Sequence, residues 1–301
     1  MDLDQACRNA HAPWSVIVSA TLNANLATVL AGFTITAIAF LLGRKKSEEK
    51  ALHAVALFAP GVLVLALASN LFGSIAAIAP PVRNGQVPPD GQYVCGVALT
   101  QSQAANGMLG VGFVIMIAGL AWTMAHAADA DVRDRKSLVH LGNSLVLIAI
   151  VTVSLLLTRN SLNYVARMHE FGVHLPRQLD AVLWSIFGLI AVVSAAVIGI
   201  RILRYYRDLT AGRPLVGEET VMARRLRRIP FVSAIVLTAP MAFFGSLCCI
   251  IIGQETSTPG GLAAFFALLV GVLLPYLIFL LIASSVPGPG FFYWAPTKNE
   301  K

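Results

Sequence analysis

Seven long apolar runs, separated by short polar segments, dominate this chain of 301 residues. A helix that crosses a bilayer needs about 20 apolar residues, because each residue rises about 1.5 Å. Every run meets that length, and none contains Asp, Glu, Lys or Arg. The runs cover residues 21–43, 54–80, 105–127, 138–158, 181–200, 230–253 and 261–285. The pattern predicts an all-α, polytopic integral membrane protein of about seven transmembrane helices, forming a single transmembrane domain over residues 1–301.

Composition agrees with a chain that lies mostly in the bilayer. Hydrophobic residues make up 57% of it and charged residues 12%, whereas soluble domains carry about 25% charged residues. The longest predicted connection, 201–229, is too short to bury a core of its own. Whether 14–19 belongs to the first helix or forms a separate interfacial piece stays open at this point.

Basic residues fall mainly on one side of the predicted bundle. If successive loops alternate between the two sides, 17 of the 22 basic residues share one side and 5 lie on the other. Short loops rich in Lys and Arg stay in the cytoplasm. We therefore expect the N-terminus outside and the C-terminus in the cytoplasm. We also expect a cell membrane location, in a bacterium because the Ala- and Arg-rich composition is typical of high-GC coding.

The Arg-rich connection 201–229 is expected to contact the bilayer surface. Its segment 218–229 starts with acidic residues and ends with arginines, an order that suits a helix dipole. We interpret this segment as a short helix on the inner leaflet, with anionic headgroups as its partner. The arginines expected to contact those headgroups are Arg224, Arg225, Arg227 and Arg228. No aromatic residues are interleaved to stack on bases, so no nucleic-acid partner is expected.

Two of the four cysteines fall on the predicted outer side. Cys7 lies in the N-terminal segment and Cys95 in the first outer loop, between the second and third helices, where an oxidising compartment would favour a disulfide. The pattern predicts a Cys7–Cys95 bond, with two free thiols as the alternative. Cys248 and Cys249 are interpreted as packing residues of the sixth helix.

Histidines give only a minor indication of a metal site. His53, His126 and His140 fall at the cytoplasmic ends of three helices, where they could share one depth. No metal-ligand spacing connects them, and histidines also sit at headgroup level in such positions. The sequence predicts no metal and no cofactor.

Several enzymatic and energy-coupled activities do not fit. The last run has no lysine for a retinal Schiff base, and no histidine pair lies deep enough to hold haem. All 15 acidic residues lie outside the seven runs, which disfavours proton-coupled transport. No nucleophile, base and metal converge, so an enzyme is not expected.

Uncharged polar residues remain as the candidate functional feature. At about 100° per residue, one set in the first helix forms a stripe about 80° wide. Its members are Thr21, Asn25, Thr28, Gly32 and Thr36, and Asn70 and Asn106 fall at similar depth. Interhelical packing is the preferred interpretation of this stripe. The alternative is a polar lining of a cleft or pore.

Two functional classes follow. The first is a non-enzymatic channel or carrier for a neutral solute or ion. The second is a membrane sensor, effector or assembly subunit that acts through the Arg-rich loop 201–229. Assembly as a homo-oligomer is compatible with either.

Overall fold

All seven predicted helices are present. A computed structural model describes the backbone of residues 15–43, 48–78, 93–125, 132–173, 175–176, 178–210, 221–253 and 260–285. The helices are α1 Val16–Leu42, α2 Glu48–Ala76, α3 Tyr93–Ala125, α4 Val132–Glu170, α5 Leu179–Thr210, α6 Val221–Gly253 and α7 Gly261–Ser285. All seven are long and apolar enough to cross a membrane. The described part of the chain is therefore an all-helical, seven-helix bundle, as its hydropathy pattern predicts.

α3 and α4 extend furthest beyond the apolar runs that predict them. α3 begins at Tyr93 and not near residue 105, while α4 continues past residue 158 to Glu170. The added segments contain polar side chains that lower the local hydropathy. Many of these side chains form hydrogen bonds between helices, so the helical backbone continues through them.

The N-terminal ends of α1 and α6 decide how two segments of the sequence fold. α1 begins at Val16, and the Ser15 side chain accepts a hydrogen bond from the Val18 N–H at 3.2 Å as its N-cap. The prediction of a separate short helix over 218–229 is wrong, because the residues from Val221 onward form the first turns of α6. Pro230 lies inside α6 without ending it.

α3 lies at the centre of the bundle, in contact with α1, α2, α4, α6 and α7. Close approach on two sides depends on small residues. A Cβ on Gly112 would lie 2.5 Å from Leu65 of α2, and one on Gly110 would lie 2.8 Å from Val153 of α4. α1 contacts mainly α2 and stays at the periphery. We call the end of the bundle where α1 begins the top and the opposite end the bottom.

α7 contains a π-helical turn over Leu269–Leu273, in which the Leu274 N–H donates to the Leu269 carbonyl five residues earlier. Pro275 follows the turn after one intervening residue, Leu274. In a regular α-helix the proline ring would clash with the carbonyl four residues before it, that of Gly271. The wider π-turn avoids this clash. Such turns are frequent at functional sites.

Candidate functional site

A group of buried polar residues connects α3, α4 and α7 from mid-depth toward the top. We call this group the polar core. Its members are Thr100 and Gln103 of α3, Ser154, Thr158, Ser161 and Tyr164 of α4, and Tyr276 of α7. Each is at most 2% exposed, so the polar core is enclosed by the bundle.

Helical spacing brings the α4 members onto one face. Ser154, Thr158 and Ser161 are separated by four and three residues, which places them in a row along the helix. Tyr164 continues the row one turn higher. The opposite face of the same segment exposes Leu155 and Leu156. The inward face of α4 in this segment is therefore lined by hydroxyl groups.

Near the top, hydroxyl and amide groups connect α3 with α4. The Thr100 hydroxyl lies 3.2 Å from the Tyr164 hydroxyl and donates to the Gly96 carbonyl at 2.7 Å. One turn lower, Gln103 Nε2 donates to Ser161 Oγ at 2.7 Å. Ser161 in turn donates to the Leu157 carbonyl at 2.7 Å. These bonds hold the two helices in register.

At mid-depth, Tyr276 of α7 joins the polar core. Its hydroxyl contacts the Thr158 hydroxyl and donates to the Ser154 carbonyl at 2.8 Å. Ser154 Oγ is fully buried and has no hydrogen-bond partner in the described part of the chain. A buried hydroxyl without a partner costs about 1–3 kcal/mol, so this atom is a candidate contact for a bound molecule or water.

The π-turn of α7 packs directly against α3 beside the polar core. A Cβ on Gly107 would lie 2.5 Å from the Val270 carbonyl oxygen. A Cβ on Gly271 would lie 2.5 Å from the Gln103 carbonyl oxygen and 2.6 Å from Gln103 Nε2. The two helix backbones therefore touch next to the Gln103 side chain. A movement of α7 at this turn would change the surroundings of Gln103.

A second buried amide lies on the side of α3 that faces α6. Gln101 Nε2 donates to the Cys249 carbonyl at 2.7 Å. Its Oε1 is buried and has no hydrogen-bond partner among the described residues. This oxygen is an acceptor for an N–H or O–H group.

The chemistry of these groups is that of hydrogen bonding between uncharged partners. The seven members of the polar core are hydroxyls, phenols and one amide, without a carboxylate, imidazole or amine. The described residues contain no group of three or more His, Cys, Asp or Glu side chains placed to hold a metal ion. The polar core can bind a neutral polar molecule through donors and acceptors.

The predicted α1 stripe lies on a different surface. Thr21, Asn25, Thr28, Gly32 and Thr36 are all exposed on the outside of the bundle, and so is Asn70 of α2. Thr28 touches α2, with its hydroxyl 2.8 Å from Ser69 Oγ. Asn106 is half-buried and donates to Ser102 at 3.3 Å. The structure brings Thr28 into a helix contact but does not bring the stripe together with Asn106.

Other predicted site residues are described only in part. Cys95 is buried and disulfide-bonded, whereas Cys249 is buried with its thiol donating to the Gln101 carbonyl at 3.8 Å. Cys7 lies outside the described residues, so its pairing with Cys95 stays a prediction. His140 is half-buried on α4. The positions that fall outside the described side chains are His53, His126, Arg224, Arg225, Arg227 and Arg228, and their predicted roles stay predictions.

Sequence reasoning missed the polar core because most of its members fall at or beyond the ends of the apolar runs. Thr100 and Gln103 precede residue 105, while Ser161 and Tyr164 follow residue 158. In the sequence, these residues look like the polar residues of a loop next to a membrane span. The signal that could have found them is the spacing of Ser154, Thr158 and Ser161, which continues one helical face across the predicted boundary.

The seven helices and their enclosed polar core indicate a multi-pass membrane protein. Comparison with protein families, with curated proteins and with solved structures finds no match.

Proposed function

We propose that the protein is a carrier for a neutral polar solute and that the polar core is its binding site. One observation carries this proposal. The polar core gathers hydroxyl and amide groups at mid-depth in the bundle, and Ser154 Oγ is buried there without a partner among the described residues. Structural hydrogen bonding alone would be expected to satisfy every buried polar atom.

The absence of charge within the polar core supports a neutral solute over an ion. A bound ion would need compensating charges or several converging carbonyl oxygens. Thr158, Ser161 and Gln103 instead supply single donors and acceptors. A solute with hydroxyl or amide groups matches these groups in kind.

Enclosure supports a carrier over an open channel. Each polar-core residue is at most 2% exposed, so a solute would need a movement of the helices to enter. The π-turn of α7 offers a place for such movement, because its backbone departs from regular α-helical geometry beside Gln103. Interrupted helices next to the binding site are a recurring feature of transporters.

The distribution of basic residues supports an orientation with the N-terminus outside. In that orientation the top of the bundle is extracellular, and the polar core extends from mid-depth toward the extracellular side. A cell membrane location and a bacterial origin belong to the same proposal. The alternative role as a sensor, effector or assembly subunit depends on loop 201–229 and stays a prediction from the sequence.

Solute-driven swelling of proteoliposomes tests the carrier proposal. Vesicles with the wild-type protein should swell faster than empty vesicles in at least one isosmotic solution from a panel of neutral polyols, amides and sugars. Gln103→Leu should remove that difference, because it removes the Ser161 hydrogen bond and the amide facing the π-turn. Asn160→Leu is the matched control, since Asn160 is an exposed amide on α4 that belongs to no proposed binding site. Swelling rates equal to those of empty vesicles across the panel would reject the carrier role.

A further inference from the structure

An arginine lies on the outer surface of α4 at a depth where the bilayer is hydrocarbon. Arg159 directly follows Thr158, whose side chain contacts Tyr276. Tyr276 is only three residues past the centre of the span Gly261–Ser285. Arg159 therefore lies near the middle of the bundle along its axis.

A second, independent set of contacts gives the same depth. Leu65 is the central residue of the span Ala54–Ala76 and packs on Gly112 of α3. Gly110, two residues away, packs on Val153 and Leu157 of α4. These contacts place mid-depth on α4 near 153–157. At about 1.5 Å per residue, the Arg159 backbone is about 3–9 Å above it, within the hydrocarbon half-thickness of about 15 Å.

The surroundings of Arg159 are those of a lipid-facing surface. Arg159, Asn160 and Asn163 are exposed, and the neighbouring Leu155 and Leu156 expose 42% and 55% of their surface. In the described part of the chain, Arg159 has no ion-pair partner. Arg167, two turns higher, differs because its guanidinium lies 2.5 Å from the Glu170 carboxylate.

A negative partner would offset the cost of an unpaired guanidinium at this depth. Charged residues in membrane spans are costly and are retained where they serve a contact. A long arginine side chain can extend along its helix to the headgroup level while its stem stays in the hydrocarbon layer. Asn163, one turn above on the same face, adds an amide donor along that path. A phosphodiester matches both groups, since guanidinium binds phosphate in a bidentate manner.

We propose that Arg159 and Asn163 form a binding site on α4 for the phosphate of an anionic phospholipid in the top leaflet. The site lies on the outside of the bundle, whereas the polar core occupies the opposite face of α4. It is therefore independent of the proposed carrier function. A bound lipid would neutralise Arg159 and fix this face of α4 in the bilayer.

Native mass spectrometry of the full-length protein, released from a neutral detergent, tests the site. Phosphatidylglycerol and phosphatidylcholine are added in equal amounts, and the ratio of their bound populations is measured. Arg159→Gln should lower that ratio about fivefold, the effect expected for one arginine near a membrane surface. Arg167→Gln removes the same charge and should leave the ratio unchanged, because Glu170 already balances Arg167. Arg159→Leu, a lipid-compatible substitution, gives the same readout if the glutamine variant is recovered poorly.

Three outcomes would overturn the proposal. The first is an equal change in the ratio for the Arg159 and Arg167 variants, or no change for either. The second is displacement of phosphatidylglycerol by excess inorganic phosphate, which would assign the site to a free anion. The third is conversion of a dimer to a monomer by Arg159→Gln with the lipid ratio unchanged, which would assign Arg159 to a carboxylate of a second chain.

Discussion

Gly107 gives the sharpest test of how α3 and α7 fit together. A Cβ at this position would lie 2.5 Å from the Val270 carbonyl oxygen, 2.6 Å from Gly271 Cα and 2.8 Å from the Gly271 carbonyl oxygen. All three are backbone atoms, so no side chain can rotate away. Ordinary contact begins at 3.4 Å, and Gly107→Ala must therefore separate the helices by about 0.9 Å at this point.

Overpacking of this kind costs about 1–3 kcal/mol, and the rigid backbone contact favours the upper half of that range. The higher helix propensity of alanine offsets about 1 kcal/mol of this loss of stability relative to glycine. Gly32→Ala is the matched control, because Gly32 is also helical and a Cβ there would meet nothing within 4 Å. We expect Gly107→Ala to be about 2–3 kcal/mol less stable than Gly32→Ala, since both variants share the propensity gain.

Unfolding in mixed micelles of increasing sodium dodecyl sulfate content measures this difference. The loss of tertiary structure is followed by tryptophan fluorescence, since Trp122 is buried in the bundle. Gly107→Ala should unfold at a lower detergent fraction than both the wild type and Gly32→Ala. Equal unfolding midpoints for the two alanine variants would refute the close α3–α7 contact.

Three further predictions address orientation, the outer disulfide and the α1 stripe. In intact cells, an impermeant thiol reagent should label cysteines introduced near Gln86 or Ser257. It should not label cysteines introduced near Lys46, Arg135 or Arg213. Labelling near Arg213 from outside would contradict the predicted orientation. Cys7→Ser and Cys95→Ser should each lower stability under oxidising conditions by about 2–4 kcal/mol, and an effect of Cys95→Ser alone would exclude their pairing. Thr28→Trp should destabilise the α1–α2 contact by at least about 1 kcal/mol because Thr28 touches Ser69. Thr36→Trp should not, because the Thr36 hydroxyl donates to the Gly32 carbonyl of its own helix. Equal stability of the two tryptophan variants would place Thr28 outside that contact.

Hydropathy was sufficient to predict the number of helices but not their ends. A window of apolar residues reports transfer of side chains into lipid. It does not detect polar side chains whose partners lie on another helix. Gln103 and Ser161 satisfy each other at 2.7 Å, so α3 and α4 continue where the apolar runs stop.

Periodicity identified residues that share a helix face but not what that face contacts. Thr21, Asn25 and Thr36 lie on one side of α1, as their spacing predicts, yet that side is exposed. Interhelical packing, in contrast, depends on which helices are neighbours. Residue 107 must be small because the backbone of α7, more than 160 positions later in the chain, lies against it. The sequence around Gly107 does not indicate this contact.

The polar core could not be predicted from the sequence for the same reason. Tyr276 and Ser154 are each unremarkable in sequence, and their significance arises from contact between α4 and α7. The unpartnered Ser154 Oγ becomes visible only when every buried polar atom is matched with its neighbours. The π-turn was likewise missed, although Pro275 five residues after Val270 marks the place where a regular helix is disfavoured.

Access of a small neutral reagent to the polar core tests the central claim most directly. Ser161→Cys is compared with Ile150→Cys, a position on the same helix that is also fully buried but belongs to the hydrophobic core. The proteins are treated in bilayers with a small, uncharged thiol reagent, and mass spectrometry of the peptides locates the modified cysteine. If the polar core is a solute site that opens to water, Ser161→Cys should be modified and Ile150→Cys should not. A solute that drives swelling should slow the modification of Ser161→Cys. Equal protection of both cysteines would contradict the account, because the polar core would then be a set of structural hydrogen bonds closed to solutes.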